Sequence, residues 1–445
     1  MPSSSAALPQ ARPAMAEAGW VALCCALGLA AALAILLPPY PPLQDFPEWA
    51  WQGDLLARIL GGESLPGLSL ATWPVPNSSV QAMLGLLSLA LPAAVAAKAF
   101  LLALVAAAVA LALALGWRYQ PQAPGAFAAV LLVAVFLHAG FWNGYANYQL
   151  GLLLLGAWFL LPEARRGQAL PILAFSLLIF FTHAMVFAAF GLLLGLSALL
   201  RWRLLPTILG LLPAAALTLW YLAAGAGGQA TEARSLGGVA AFLGYKAYTL
   251  AKLGPYHNFV FATGGDAALR PALHWGGAAA NALFAAGLGL ALLLGLQAAW
   301  RDRRLAWPAL LAAGLLLAGF AVLPDLVQNV VNPGERLLLP ALLILLLVLP
   351  LPALLLRGLG LGAILLLGCV LLLATTRQGW DRPLHFTELD PARTELFRHR
   401  PTAFACKWAA LRDGAQPGMP GWQPLSFATS LLLGPTQAGC TGRPG

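Results

Sequence analysis

Asp45, Glu48 and Asp54 fall within ten positions of one another in a 445-residue chain that carries only 16 acidic residues. They follow an apolar run over residues 19–38, are interleaved with Trp49 and Trp51, and precede Arg58 by four positions or more. Carboxylates gathered beside a membrane surface are costly and need a reason. Close to a low-dielectric surface a carboxylate's pKa rises toward the range useful to a general base. Two of them, Asp45 and Glu48, could also hold a divalent cation such as Mg or Mn, although a pair without further ligands is a weak metal site. Asp45 stands among prolines at 41, 42 and 47, a stiffening that suits a positioned group. The structural alternative is an interfacial helix starting near Pro47. Its dipole would favour Asp45 and Glu48 at the N-terminal end, Asp54 and Arg58 would share one face, and the tryptophans would anchor it.

Three further stretches carry chemistry. His183, in Phe180-Phe181-Thr182-His183, is the isolated ionisable group of the apolar run 169–200, by default a functional residue with a partner to be found. Otherwise it is a packing histidine bonded to a backbone carbonyl. Arg336, in Asn332-Pro333-Gly334-Glu335-Arg336, begins a helix against the helix dipole, which suits an anion binder; a plain surface pair with Glu335 is the alternative. In Phe141-Trp142-Asn143-Gly144-Tyr145-Ala146-Asn147-Tyr148-Gln149, Asn143, Tyr145 and Asn147 offer the amides and aromatic faces a sugar ring needs. Interfacial Trp and Tyr are also the ordinary belt of a membrane helix. Tyr245, Lys246, Lys252, Tyr256 and His257 form a second basic-aromatic set able to cover a site.

The elements that must position these residues are membrane helices. The chain is 60% hydrophobic and 9% charged, where a soluble domain is about 25% charged. Apolar runs fill most of residues 19–375, many near the roughly 20 residues that span a bilayer. Crossings are expected at 19–38, in 78–116 as two helices broken at Pro92, and at 125–141, 145–162, 204–222, 275–299, 306–323, 337–355 and 359–375. The run 169–200 is too long for one crossing and is either a hairpin or a single tilted helix. The expected fold is therefore an all-α polytopic bundle of 11–12 transmembrane helices.

Arg165-Arg166, Arg201-Trp202-Arg203 and Arg301–Arg304 mark cytoplasmic loops by the positive-inside rule. Loops 39–77, 223–274 and 324–336 then lie outside, as does a small tail, 376–445, after the 1–375 membrane domain. The net charge of +9 is spread over short loop clusters, which argues against nucleic acid. Residues 19–38 form a retained helix rather than a cleaved signal. Cys24, Cys25 and Cys369 are expected as buried small residues, and Cys406 and Cys440 could pair outside. No CxxC, HExxH, GxSxG, Walker or dinucleotide motif occurs, which argues against redox, zinc-hydrolase and ATP-driven roles.

This layout resembles the GT-C superfamily of membrane glycosyltransferases, with its acidic first outside loop, interfacial helix, many membrane helices and outside tail. Pro42-Leu43-Gln44-Asp45-Phe46-Pro47 with Leu55-Leu56-Ala57-Arg58 is similar to a D-[YF]-P-x-H-x-A-R pattern of bacterial GT-C-type proteins. The chain departs from it by two extra residues and a missing histidine. The resemblance implies a bacterial inner-membrane enzyme facing outward. It would move a hexose or pentose from a polyprenyl-phosphate donor to a lipid, glycan or protein acceptor, with inversion. Asp45 would be the base and Glu48 its neighbour; Arg58, His183 and Arg336 would bind the donor phosphate; Asn143, Tyr145, Asn147, Tyr256 and His257 would bind substrate. No cofactor is required beyond a possible divalent cation. A transporter or flippase for a lipid-linked or small polar solute is the alternative, and would need broken helices in two matching halves and acids at the bilayer midplane.

Overall fold

In a computed structural model of the chain, the residues described are 11–37, 41, 43, 46–64, 69–224, 238–255, 271–324, 326–327, 330–331, 333–375 and 431–433. They are helical apart from turns and four two-residue strands. In chain order the helices are α1 (Ala11–Leu36), α2 (Phe46–Leu60), α3 (Ser79–Ser88), α4 (Ala93–Tyr119) and α5 (Pro124–Leu131), which a π-helical turn at Leu132–Phe136 extends. Then come α6 (Ala139–Trp142), α7 (Ala146–Leu160), α8 (Glu163–Arg166), α9 (Ala169–Thr182), α10 (Ala184–Leu200), α11 (Leu204–Ala223) and α12 (Val239–Ala251). The last four are α13 (Pro271–Arg301), α14 (Trp307–Val322), α15 (Glu335–Val348) and α16 (Ala353–Thr375). Five of them, α1, α4, α11, α13 and α16, are long and apolar enough to cross a membrane.

Side-chain contacts sort the turns into two ends of the bundle. At one end Arg118 donates to the carbonyls of Leu160 and Leu161, Gln120 to Leu349 and Gln122 to Leu351. Arg201 pairs with Glu163 there, and Glu17 accepts from Gly125 N–H. Arginine dominates this basic end. At the other, Lys98 donates to the Leu36 carbonyl, Lys246 to Leu323 and Asn281 to Ala251. Segments α1, α5 with its π turn, α9, α11, α14 and α16 thus run away from the basic end, and α4, α7, α10, α13 and α15 run back.

The centre is α5 with the π turn. Every residue from Ala126 to Leu137 is fully buried, as expected of a helix that is apolar all round. It can lie close to its neighbours because small residues face them. Gly116 of α4 meets the Pro124 carbonyl where a Cβ would stand 2.3 Å away, and a Cβ at Gly360 of α16 would stand 3.0 Å from the Ala126 carbonyl.

The run 169–200 is a hairpin. His183 alone separates α9 from α10, with extended backbone, and Glu163 before α9 reaches Arg201 after α10. Laid end to end, the two helices would hold these residues on the order of 50 Å apart. The break expected between 355 and 359 instead falls at Leu349–Pro352, because Pro350 and Pro352 push the residues before them out of the helical region. Cys24 is buried as expected, but Cys25 and Cys369 are exposed; Cys406 and Cys440 lie outside the described residues.

Helix α2 begins at Phe46, where the proline-rich loop predicts it. Trp49 is no surface anchor: it is 6% exposed and packs in the main core, while Phe46 stacks on Phe100 of α4 at 6.1 Å. α2 and α3 interlock through glycines, Gly53 against Leu84 and Gly85 against Leu56. Strand β1 (Ser69–Leu70) pairs antiparallel with β4 (Leu432–Leu433), and Leu431 N–H donates to the buried Gln81 side chain at 2.7 Å. The described part of the tail therefore returns to the first loop. A small hairpin of β2 (Leu326–Val327) and β3 (Val330–Val331) precedes α15.

Candidate functional site

Four stretches distant in sequence meet at the polar end: the turn before α3, the α6–α7 connection, the α9–α10 bend and the start of α15. Asn77 joins the first three. Its backbone takes a positive φ of 63°, a conformation asparagine tolerates better than most residues. In that pose its side-chain carbonyl accepts from Ala184 N–H at 2.8 Å, giving the first turn of α10 an acceptor. Its backbone carbonyl accepts from Asn147 Nδ2 at 2.7 Å, and Asn147 Oδ1 accepts from Val80 N–H at 3.0 Å. Thr182 Oγ1 lies 3.1 Å from Ser79 Oγ, closing the junction.

Tyr148 occupies the centre. Its ring lies edge-on to His183, 4.9 Å between centroids, and to His138 at 6.4 Å, and its hydroxyl donates to the Arg336 carbonyl at 3.1 Å. The Arg336 guanidinium rests over the Tyr145 ring at 5.5 Å, a cation–π contact that leaves its N–H donors unused. Glu335 turns instead to Lys252, 3.4 Å away. Among the described residues, no carboxylate and no hydrogen bond answers the Arg336 guanidinium. The pairing of Glu335 with Arg336 considered from sequence is thus replaced by Glu335 with Lys252.

His183 sits at the bend, outside both helices, 5% exposed, with Nδ1 buried and unpartnered among the described residues. Burial first, and the nearby Arg336 charge second, hold its pKa well below the ordinary histidine value. A protonated His183, as a phosphate contact would use it, is therefore disfavoured, because a second cation beside Arg336 in a dry setting is costly. A neutral ring still supplies one N–H donor and one acceptor.

The other predicted residues divide as follows. Tyr145 is beneath Arg336. Asn143 is 5% exposed in the turn just before it. Asn147 is buried, and its amide bonds Asn77 and Val80, so it braces α7 against the first loop. Arg58 bonds Glu63 through two nitrogens, at 2.7 and 2.5 Å. Its charge is met at the surface by Glu63, whose carboxyl that contact holds low. Asp54 adds only a weaker field at Arg58. Asp45, Tyr256 and His257 lie outside the described residues, as does the side chain of Glu48, whose backbone is in the first turn of α2. Leu43 and Phe46, on either side of Asp45, are both buried.

Sequence reasoning undervalued Asn77 and Tyr148. The signal for Asn77 was its place before Ser78-Ser79 and an apolar run, the signature of a helix start. Nothing local distinguished Tyr148 from the belt tyrosines. The described residues include no cluster of three His, Cys, Asp or Glu that could hold a metal. Comparison with protein-family models, with curated proteins and with solved structures gives no match to this chain.

Proposed function

We propose that the chain is a GT-C-like membrane glycosyltransferase that uses a polyprenyl-phosphate sugar at the polar end of the bundle. The observation that carries this reading is the Arg336 guanidinium, held on Tyr145 beside His183 with its donors unanswered by any described carboxylate. On this reading all eleven lengthwise segments, α1, α4, α5 with the π turn, α7, α9, α10, α11, α13, α14, α15 and α16, are embedded in a bacterial inner membrane. The arginine-rich end faces the cytoplasm, the polar end faces outward, and α2 lies along the outer surface. Arg336 supplies a planar fork to the donor phosphate and neutral His183 one N–H. Asp45, next to the anchored Phe46, takes the proton of the acceptor hydroxyl. The oxygen attacks the anomeric carbon opposite the phosphate, the carbon–phosphate-oxygen bond breaks, and the polyprenyl phosphate leaves with inversion. Glu48 either supports Asp45 or shares a divalent cation with it.

The transporter alternative is less well supported. Of the described acids, Glu63, Glu163, Asp302 and Glu335 sit at helix ends or in turns, Glu17 is in the second turn of α1, and Glu48 and Asp54 are in α2, so none lies mid-length in a long apolar helix, where a coupling carboxylate belongs. The test uses purified full-length protein, undecaprenyl phosphate as binding probe and a radiolabelled undecaprenyl-phosphate hexose as donor. Arg336→Gln should weaken binding of the phosphate lipid by about 10- to 150-fold, the loss of a charged hydrogen bond. Asp45→Asn should leave binding intact and lower sugar release by roughly 100-fold or more. Equal turnover by Asp45→Asn and wild type, or equal lipid binding by Arg336→Gln, would remove the enzyme reading.

A further inference from the structure

At the basic end, far from the polar cluster, an open groove of about 300 Å³ runs between α10 and α11. Gly195 and Ala198 form one wall, and Leu204, Thr207, Leu211 and Ala215 the other. The Thr207 hydroxyl is turned back to the Arg203 carbonyl at 3.3 Å, so the lining is apolar throughout. From Leu204 to Ala215 the wall rises about 16 Å along the helix. Gly195 leaves open space: a Cβ built there has nothing within 4 Å.

Ala198 and Leu204, at one end of the lining, adjoin the Arg201-Trp202-Arg203 turn in the chain, and that turn is cationic. Among the described residues Glu163 is the carboxylate paired at this turn; it meets Arg201, and its carboxyl is held low by Arg201 and, more weakly, by Arg166 and Arg203. Three arginines thus share one acid. Arg203 Nη1 approaches Gly167, and Arg166 Nε is buried with no hydrogen-bond partner among the described residues. Arg203 is also the N-cap of the 20-residue α11, whose first turn has no side-chain cap, so its N–H groups and dipole favour an anion at the same place. Trp202, 86% exposed at a positive φ of 53°, puts an amphipathic ring at the level where headgroups lie.

An apolar trough ending in surplus positive charge and an uncapped helix start matches one chemical class. We propose that this groove binds an anionic phospholipid, with an acyl chain along α10 and α11 and the phosphate at the Arg201–Arg203 turn. A free phosphate would leave the trough unused, and a zwitterionic lipid would bring its own cation to the arginines. The site is independent of the glycosyltransferase reading and requires only that the helices be in a bilayer.

Native mass spectrometry of the full chain, exchanged into micelles with equimolar phosphatidylglycerol and phosphatidylcholine, reads the site directly. Phosphatidylglycerol should be retained preferentially, by about fivefold for each arginine it engages. Arg203→Gln should lower that preference about fivefold. Gly195→Leu, whose Cβ meets open space, should lower retention of the bound lipid while leaving the protein folded in lipid-free micelles. Equal retention of the two lipids, or a preference that survives both substitutions, would overturn the proposal. So would displacement of phosphatidylglycerol by millimolar inorganic phosphate, which would reduce the site to a headgroup contact.

Discussion

If Asn147 is a brace, removing its amide should damage the fold before it damages substrate binding. Asn147→Ala strands two groups, the Val80 N–H and the Asn77 carbonyl, which now lie 3.0 and 2.7 Å from its side chain. Val80 is fully buried in the first turn of α3, where helix geometry offers its N–H no other acceptor. Leaving a buried donor or acceptor unsatisfied costs about 1–3 kcal/mol each, whereas hydrogen bonds between membrane helices average about 0.6 kcal/mol because alternatives are found. The Asn77 carbonyl belongs to a turn that can relax, and the Val80 N–H does not, so the sum should be about 2 kcal/mol. The assay is reversible unfolding in mixed micelles by titration with SDS, followed by tryptophan fluorescence, alongside KM measured where both proteins are fully folded. A loss of stability near that value with KM changed less than about threefold is expected for a brace. Stability within about 0.5 kcal/mol of wild type, accompanied by a KM raised tenfold, would refute the reasoning and restore Asn147 as a substrate contact.

Two further outcomes follow from the same geometry. In a cysteine-free background, Glu163→Cys with Arg201→Cys should be bridged by a bis-maleimide long enough to replace the two paired side chains; no cross-link, with protein still folded, would dismantle the α9–α10 hairpin. Burial, and second the Arg336 charge, press the His183 pKa in the folded chain below its ordinary value of about 6.5. Stability should therefore be flat above that pH and fall as pH drops below it, and His183→Gln should flatten the acid side of a stability profile; an unchanged profile would mean that His183 titrates normally.

The helix plan was readable because its signals are local. Pro92 broke the long run at 78–116 where the structure breaks it, and Phe46-Pro47 started α2. The hairpin at His183 was ambiguous because no proline or glycine marks it; the chain reverses where Asn77, more than a hundred residues earlier, meets the Ala184 N–H. Trp49 and Cys369 were misplaced for one reason. In a membrane chain apolar residues face both lipid and core, so hydrophobicity does not say which side is inside. Within the site, residue type pointed to Arg336 and His183, but partners did the deciding. Glu63 met Arg58, Lys252 drew away Glu335, and two backbone groups consumed Asn147. Each depends on contacts that periodicity does not encode.

The shortness of the central strut has a consequence for access. From Pro124 to Phe136 it rises about 20 Å, while α4, starting from the neighbouring Gly116, continues back to Ala93 for roughly 35 Å. The strut never meets lipid, so no mismatch with the bilayer forces it to lengthen. His138, Tyr145 and Tyr148, which follow its end, are therefore recessed along the bundle axis relative to the tips of the long helices. If the chain is the glycosyltransferase proposed above, its reactants would then approach by different routes: a head carried on a lipid tail can travel sideways at that depth, while a water-borne partner must descend to it from the surface.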